Sequence, residues 1–237
     1  MSTRDLREQV LEANLAIARS GLAKLTWGNT SGIDRDRGLV AIKPSGVPYD
    51  ELDADAIAVV DLDGTVVEGD MRPSTDTATH LELYRAFAGI GGITHTHSFH
   101  ATAFAQARRE LPFLGTTHAD HFRGPVPVTR EMRPEEIATD YELNTGRVIV
   151  ERFAGLDPRD MPAVLVAQHG PFAWGSDAAD SVQNAVVLEA VAELALHTLA
   201  LAPGVPPASE DILARHHSRK HGPDAYYGNA GGRRTVT

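Results

Sequence analysis

The chain has 237 residues, 42% of them apolar and 23% charged, enough for one sizeable core and short for two. Its formal net charge of −10 argues against general binding of nucleic acid or an anionic membrane, so a phosphorylated ligand would have to be held by local donors. The absence of cysteine excludes disulfides and thiolate metal ligands.

The segment 1–15 mixes charges with leucines and lacks an apolar signal core. No run in the sequence approaches the roughly 18 apolar residues of a membrane span. A cytoplasmic protein without membrane or nucleic-acid partners is expected.

Apolar positions at Leu6, Val10, Leu11, Ala13, Leu15, Ile17 and Ala18 predict a first helix, with Gly21 as its stop. Two strands, Thr26–Ile33 and Gly38–Lys43, are joined by the charged turn Asp34–Arg37. Ala56–Asp61 and Thr65–Glu68 bracket Asp63-Gly64, a hairpin turn. A helix over Thr77–Ala88 follows Ser74-Thr75-Asp76. Gly92–Thr96 reads as a strand and His100–Ala107 as a helix. The stretch Leu111–Pro134 is rich in Pro and Gly and gives no assignment. Arg147–Phe153 fits strand or helix, and Ala163–Ala167 is a buried strand. Ser176–Ala202 is the longest helical signal, ended by Pro203–Pro207, and a polar segment rich in His and Arg closes the chain. Alternating strands and helices with several hairpins predict a mixed α/β sheet with helices against it.

The strongest chemical feature is His95-Thr96-His97. Residues two apart on a strand share a face, so both imidazoles would point at one place. Two histidines are half of a zinc shell, and a strand with two surface histidines has the same sequence. His169 stands where the apolar strand opens into a Gly-Pro turn. Three histidines without cysteine suit zinc with an open position. Asp76 fits a helix cap equally with a metal ligand or a base. Asp120, in the non-periodic Thr117-His118-Ala119-Asp120-His121, fits a solvated loop carboxylate or an acid/base group. Gly28 to Gly32, Lys43 to Gly46, and Ser74-Thr75 offer backbone N–H groups, hydroxyls, an amide and a lysine for an anion. None matches a nucleotide loop or a dinucleotide fingerprint.

In this order and spacing, Thr26-Trp27-Gly28-Asn29, Lys43-Pro44-Ser45-Gly46, Ser74-Thr75-Asp76, His95-Thr96-His97, Thr117-His118-Ala119-Asp120, His169-Gly170-Pro171 and Arg219-Lys220-His221-Gly222 through Tyr226-Tyr227-Gly228 resemble the pentulose-phosphate 4-epimerase branch of the class II aldolase family. The resemblance runs from about Leu6 to Gly228. It implies a single-domain α/β sandwich over 1–237, a central, largely antiparallel sheet flanked by helices, with 204–237 a tail reaching the subunit interface. It implies one Zn²⁺ per subunit on His95, His97 and His169, with Asp76 nearby as a candidate fourth ligand. Asn29, Lys43, Ser45, Gly46, Ser74 and Thr75 would line a phosphate pocket. Asp120 and Tyr227 would be the acid/base pair, Tyr227 coming from a neighbouring subunit. Glu142, His216 and Arg219 would support the site. The implied assembly is a fourfold-symmetric homotetramer with active sites between subunits. The implied reaction converts L-ribulose 5-phosphate to D-xylulose 5-phosphate by retro-aldol cleavage and re-addition.

Three departures from the resemblance stand out. His121 replaces a customary tyrosine, Thr30 and Gly32 are unusual in the Gly-Asn loop, and Asn229–Thr237 extends past Gly228. Two alternatives are an aldolase that releases its aldehyde and a zinc-binding interaction module without catalysis. A glutamate in place of Asp76 would have favoured the aldolase. Retention of Asp120 and Tyr227 with the three histidines argues against the inactive module.

Overall fold

The computed structural model describes residues 2–221. Ser2 caps the first helix, α1 (Thr3–Arg19), through a reciprocal pair with Asp5, and Leu6, Val10, Ala13 and Ile17 form its buried stripe. Asn14 on that stripe is polar and buried, and its amide is fully used. Nδ2–H donates to Val10 O and Thr30 O, and Oδ1 accepts from Thr30 N–H at 2.8 Å. These bonds pin α1 to the strand β1 (Asn29–Asp34).

A hairpin joins β1 to β2 (Leu39–Ile42), then come β3 (Ala58–Asp61) and β4 (Val66–Glu68). After α2 (Thr77–Ala86) follow β5 (Gly92–His95), α3 (Phe99–Gln106), α4 (Thr116–Ala119), α5 (Pro134–Ala138) and α6 (Tyr141–Arg152). Strands β6 (Ala163–Leu165) and β7 (Pro171–Gly175) and helices α7 (Ala178–Leu201) and α8 (Glu210–His221) complete the order. A single seven-stranded sheet runs β4-β3-β2-β1-β5-β7-β6. Every neighbouring pair of these strands is antiparallel, so the largely antiparallel expectation holds.

Side-chain alternation assigns the two faces. On one face Thr30 meets Thr94, Thr94 meets Ser181 of α7, and Gly32 packs against Val10 of α1 and Ala178 of α7. On the other, Ser31 bonds His80 and Tyr84 of α2, while Trp174 packs on Phe87 and Phe153. Thr30 and Gly32 therefore face the α1/α7 layer, and their unusual identity is a matter of packing.

Several expectations change. Strand β1 starts at Asn29 rather than Thr26, because Gly28 turns the chain with φ +87°. Strand β5 ends at His95, one residue short of Thr96, leaving His97 beyond it. Arg147–Arg152 belongs to helix α6, and Phe153 is its C-cap. Pro171, placed by the sequence in a Gly-Pro turn, instead opens the fully buried strand Pro171–Gly175, for which the sequence gives no assignment. The polar closing segment contains helix α8.

Against the expectation that no run approaches a membrane span, helix α7 carries an 18-residue window of mean hydropathy 1.5, enough by length and composition to cross a membrane. In this fold it lies across the sheet with Val182, Ala185, Leu188, Val191 and Ala192 buried, while Val186, Leu194 and Leu196 remain exposed.

Candidate active site

Register places the site. Asn29 pairs directly with His95 across β1 and β5, and His95 pairs with Phe172 across β5 and β7. Cross-strand partners share a face, so the Asn29 amide and the first imidazole lie side by side on the α2 face. The close approach depends on Gly28, where a Cβ would stand 2.8 Å from His95 O. His95 stacks on Phe172, with ring centroids 4.1 Å apart. Its Nδ1–H donates to Pro171 O at 2.9 Å, which fixes the tautomer and leaves Nε2 with a lone pair.

His97 and His169 complete a triad. The Nε2 atoms of His95 and His97 are 3.2 Å apart, and one nitrogen from each of the three rings lies within 4.8 Å of the others. Two nitrogens on one tetrahedral zinc would be about 3.4 Å apart. Nδ1 of His169 is buried with no hydrogen-bond partner. Burial holds His169 down at about 3, with His95 and His97 acting in the same direction, and burial likewise lowers His97. Both are thus neutral at pH 7, the form that ligates a metal. An all-imidazole donor set fits zinc.

Asp76 stands at the N-cap position of α2 but makes no capping hydrogen bond through its side chain. Its Oδ2 accepts from Asn29 Nδ2–H at 2.7 Å, and that amide also donates to Ser74 Oγ at 3.1 Å. Burial alone would raise its carboxyl. The His95 and His80 rings and the Asn29 N–H outweigh that and hold it below the usual carboxylate range. Asp76 is thus turned toward the triad, although it does not belong to the tight three-nitrogen group.

A cavity of about 630 Å³ opens over the triad. Its wall includes Asn29, Lys43, Ser45, Gly46, Ser74, Thr75, Asp76, Glu142 and the three histidines, so the anion loops and the imidazoles converge. Lys43 is buried, donates from Nζ to Val47 O at 2.7 Å, and lies over the Tyr49 ring. It has no carboxylate partner among the described residues, and burial lowers it to about 8.

Asp120, His216 and Arg219 gather elsewhere. None of them lines this cavity. Arg219 clamps the Asp120 carboxylate with two hydrogen bonds, at 2.9 and 2.6 Å, and His216 Nδ1 lies 3.0 Å from its Oδ1. Burial would raise Asp120, but Arg219 and His216 hold it low. His121, the departure from tyrosine, is bonded by Lys220 Nζ at 2.8 Å on this same α4/α8 surface. His118 is spent structurally, donating from Nε2 to Gly124 O at 2.7 Å. Tyr227 and the end of the chain lie outside the described residues. Sequence reasoning missed Trp27 and Tyr141 in the cavity wall.

Residues 8–196 match the model of the class II aldolase and adducin N-terminal domain family. The chain belongs to that family. It is 54% identical over 223 residues to the L-ribulose-5-phosphate 4-epimerase UlaF of Salmonella paratyphi A, spanning 94% of this chain and 98% of the relative. The UlaF of Salmonella typhi matches to the same extent. Among solved structures, an L-fuculose 1-phosphate aldolase superposes with TM-score 0.73 at 26% identity, over 92% of this chain and 97% of that one. YgbL of Klebsiella pneumoniae superposes with TM-score 0.70 at 28% identity, over 91% and 99%.

Proposed function

We propose that the chain is an L-ribulose-5-phosphate 4-epimerase that inverts C4 by retro-aldol cleavage and re-addition. The observation that carries this reading is the convergence of an imidazole triad and a set of anion donors in one cavity. The 54% identity to UlaF over nearly the whole chain supports the choice of substrate.

The hydrogen on C4 of the ketose is not acidic, so simple deprotonation does not serve. Breaking C3–C4 does. A base takes the C4 hydroxyl proton, the C3–C4 electron pair moves toward C2, and an enediolate of dihydroxyacetone forms with glycolaldehyde phosphate. The aldehyde turns, C3 adds to its other face, and a proton returns to the C4 oxygen. His95, His97 and His169 would hold a zinc ion, whose Lewis acidity would stabilise charge developing on the ketose oxygens. Asp76, fixed by Asn29, stands beside that position as the candidate fourth ligand. Lys43, Ser45, Gly46, Ser74, Thr75 and Asn29 hold the phosphate, so the aldehyde rotates without leaving.

Proton transfer on two sides of C4 falls to Asp120 and Tyr227. Asp120 lies away from the cavity of its own subunit and is tied to α8, the helix that leads to Tyr227. This supports a site in which both groups, with His216 and Arg219, reach the triad of a neighbour, and Glu142 supports the cavity wall from within. The exposed apolar residues Leu25, Phe99, Leu194 and Leu196 suit burial in a homotetramer. In such an assembly each subunit is one domain, and 204–237 is its reaching tail.

Zinc-loaded protein given L-ribulose 5-phosphate should form D-xylulose 5-phosphate to equilibrium, followed by NMR. Accumulation of free dihydroxyacetone and glycolaldehyde phosphate would favour an aldolase, the reading that similarity to the fuculose-phosphate enzyme supports.

A further inference from the structure

Helix α6 begins at the cavity rim, and two local features draw that end inward. Gly146 faces α2, where a Cβ would stand 2.7 Å from Glu82 Cβ, so any larger residue would force the helices apart. Thr79 Oγ1–H donates to Glu142 O at 2.5 Å and clasps the first turn of α6 to the first turn of α2, next to Asp76. The Tyr141 ring is thereby set toward His169, with centroids 6.1 Å apart, in the cavity wall.

The Tyr141 hydroxyl has no hydrogen-bond partner among the described residues. A half-buried tyrosine O–H normally finds one. Burial raises this hydroxyl, and the Asp76 and Glu142 carboxylates push it the same way, so it remains a neutral donor at pH 7. Those carboxylates would repel a phosphate, and the phosphate-type donors stand on other loops. What remains for Tyr141 is the part of the ligand that lies at the histidines.

We infer that Tyr141 is a catalytic residue, supplied by the same subunit as the triad, whose O–H donates to an oxygen of the dihydroxyacetone half of the ketose. The inference rests on the epimerase reading. A neutral donor aimed at an oxygen that gains charge as C3–C4 breaks stabilises the transition state more than the substrate.

The test compares Tyr141→Phe and wild type, both zinc-loaded, in binding dihydroxyacetone, in binding inorganic phosphate, and in turnover. The phenylalanine variant should retain zinc and phosphate affinity, bind dihydroxyacetone more weakly with a correspondingly higher KM, and lose about 10- to 100-fold in kcat. Unchanged dihydroxyacetone affinity and kcat would overturn the assignment. Loss of zinc from Tyr141→Phe would overturn it too, by making the residue a support for His169. If wild type turned over no pentulose phosphate, the epimerase reading would fall, and the dihydroxyacetone comparison would still decide whether Tyr141 donates.

Discussion

Glu189 Oε1 accepts hydrogen bonds from both the backbone N–H and the ring Nδ1–H of His100, at 2.9 and 2.8 Å, while Oε2 accepts from Ala101 N–H at 3.0 Å. A carboxylate from α7 thus caps α3, whose own N-cap residue, Ser98, makes no capping bond through its side chain. His97 immediately precedes Ser98, so this cap anchors the backbone next to the second imidazole of the triad. Glu189→Ala should cost about 1–3 kcal/mol of stability and weaken zinc binding roughly 10-fold or more. Urea unfolding and zinc titration would check both. Glu189→Gln should recover part of the loss, and wild-type zinc affinity in the alanine variant would separate the cap from the metal site.

His97→Asn removes one of three imidazoles while keeping a polar side chain at that position. Zinc affinity should fall roughly 100-fold or more, read by competition with a chromogenic chelator. Undiminished zinc content would exclude His97 as a ligand.

Lys43 titrates at about 8 in the fold against 10.5 for an ordinary lysine. Between those values the unfolded chain carries more protons, so this residue makes stability rise with pH across that window. Phosphate binding needs the ammonium and should weaken as pH climbs through about 8. Lys43→Met should reduce phosphate affinity about 10- to 100-fold and abolish that pH dependence. Calorimetric titration of inorganic phosphate from pH 7 to 9 would measure it, and a steep pH dependence surviving in the methionine variant would assign it to another group.

If each site joins one subunit's triad to another's Asp120 and Tyr227, two inactive variants can restore each other. Mixing His97→Asn with Asp120→Asn should regain a fraction of activity, since some interfaces pair an intact triad with an intact Asp120. Mixing Asp120→Asn with Tyr227→Phe should regain none, because both lesions fall on the same donated surface. The opposite pattern, after proven subunit exchange, would place Asp120 and the triad in one subunit.

The legible parts of the fold were those with a one-sided pattern. The α1 stripe and the Asp63-Gly64 hairpin follow from periodicity and turn chemistry. His95 and His97 could be paired because their spacing survives the end of β5: the chain passes beyond the strand and both rings still face the same way. Strand β7 was illegible because all five of its residues are buried, which erases alternation, and because it opens with a proline. Helix α8 is polar along most of its length, with Arg219 and His216 bonded to Asp120 some hundred positions earlier, a contact that no local pattern encodes. Tyr141 is illegible for a related reason: its place in the cavity depends on Gly146 and Thr79, which look ordinary in sequence. That the Asp76 side chain makes no capping bond to α2 and accepts from Asn29 instead is visible only in the fold.

The central claim is that C4 inverts by cleavage of C3–C4, and conversion of L-ribulose 5-phosphate in D₂O tests it most directly. The D-xylulose 5-phosphate formed by zinc-loaded protein should retain protium at C3 and C4, since neither C–H bond breaks on the retro-aldol path. Deuterium at C4 would contradict the account, because it would mean that the enzyme removes a proton from that carbon.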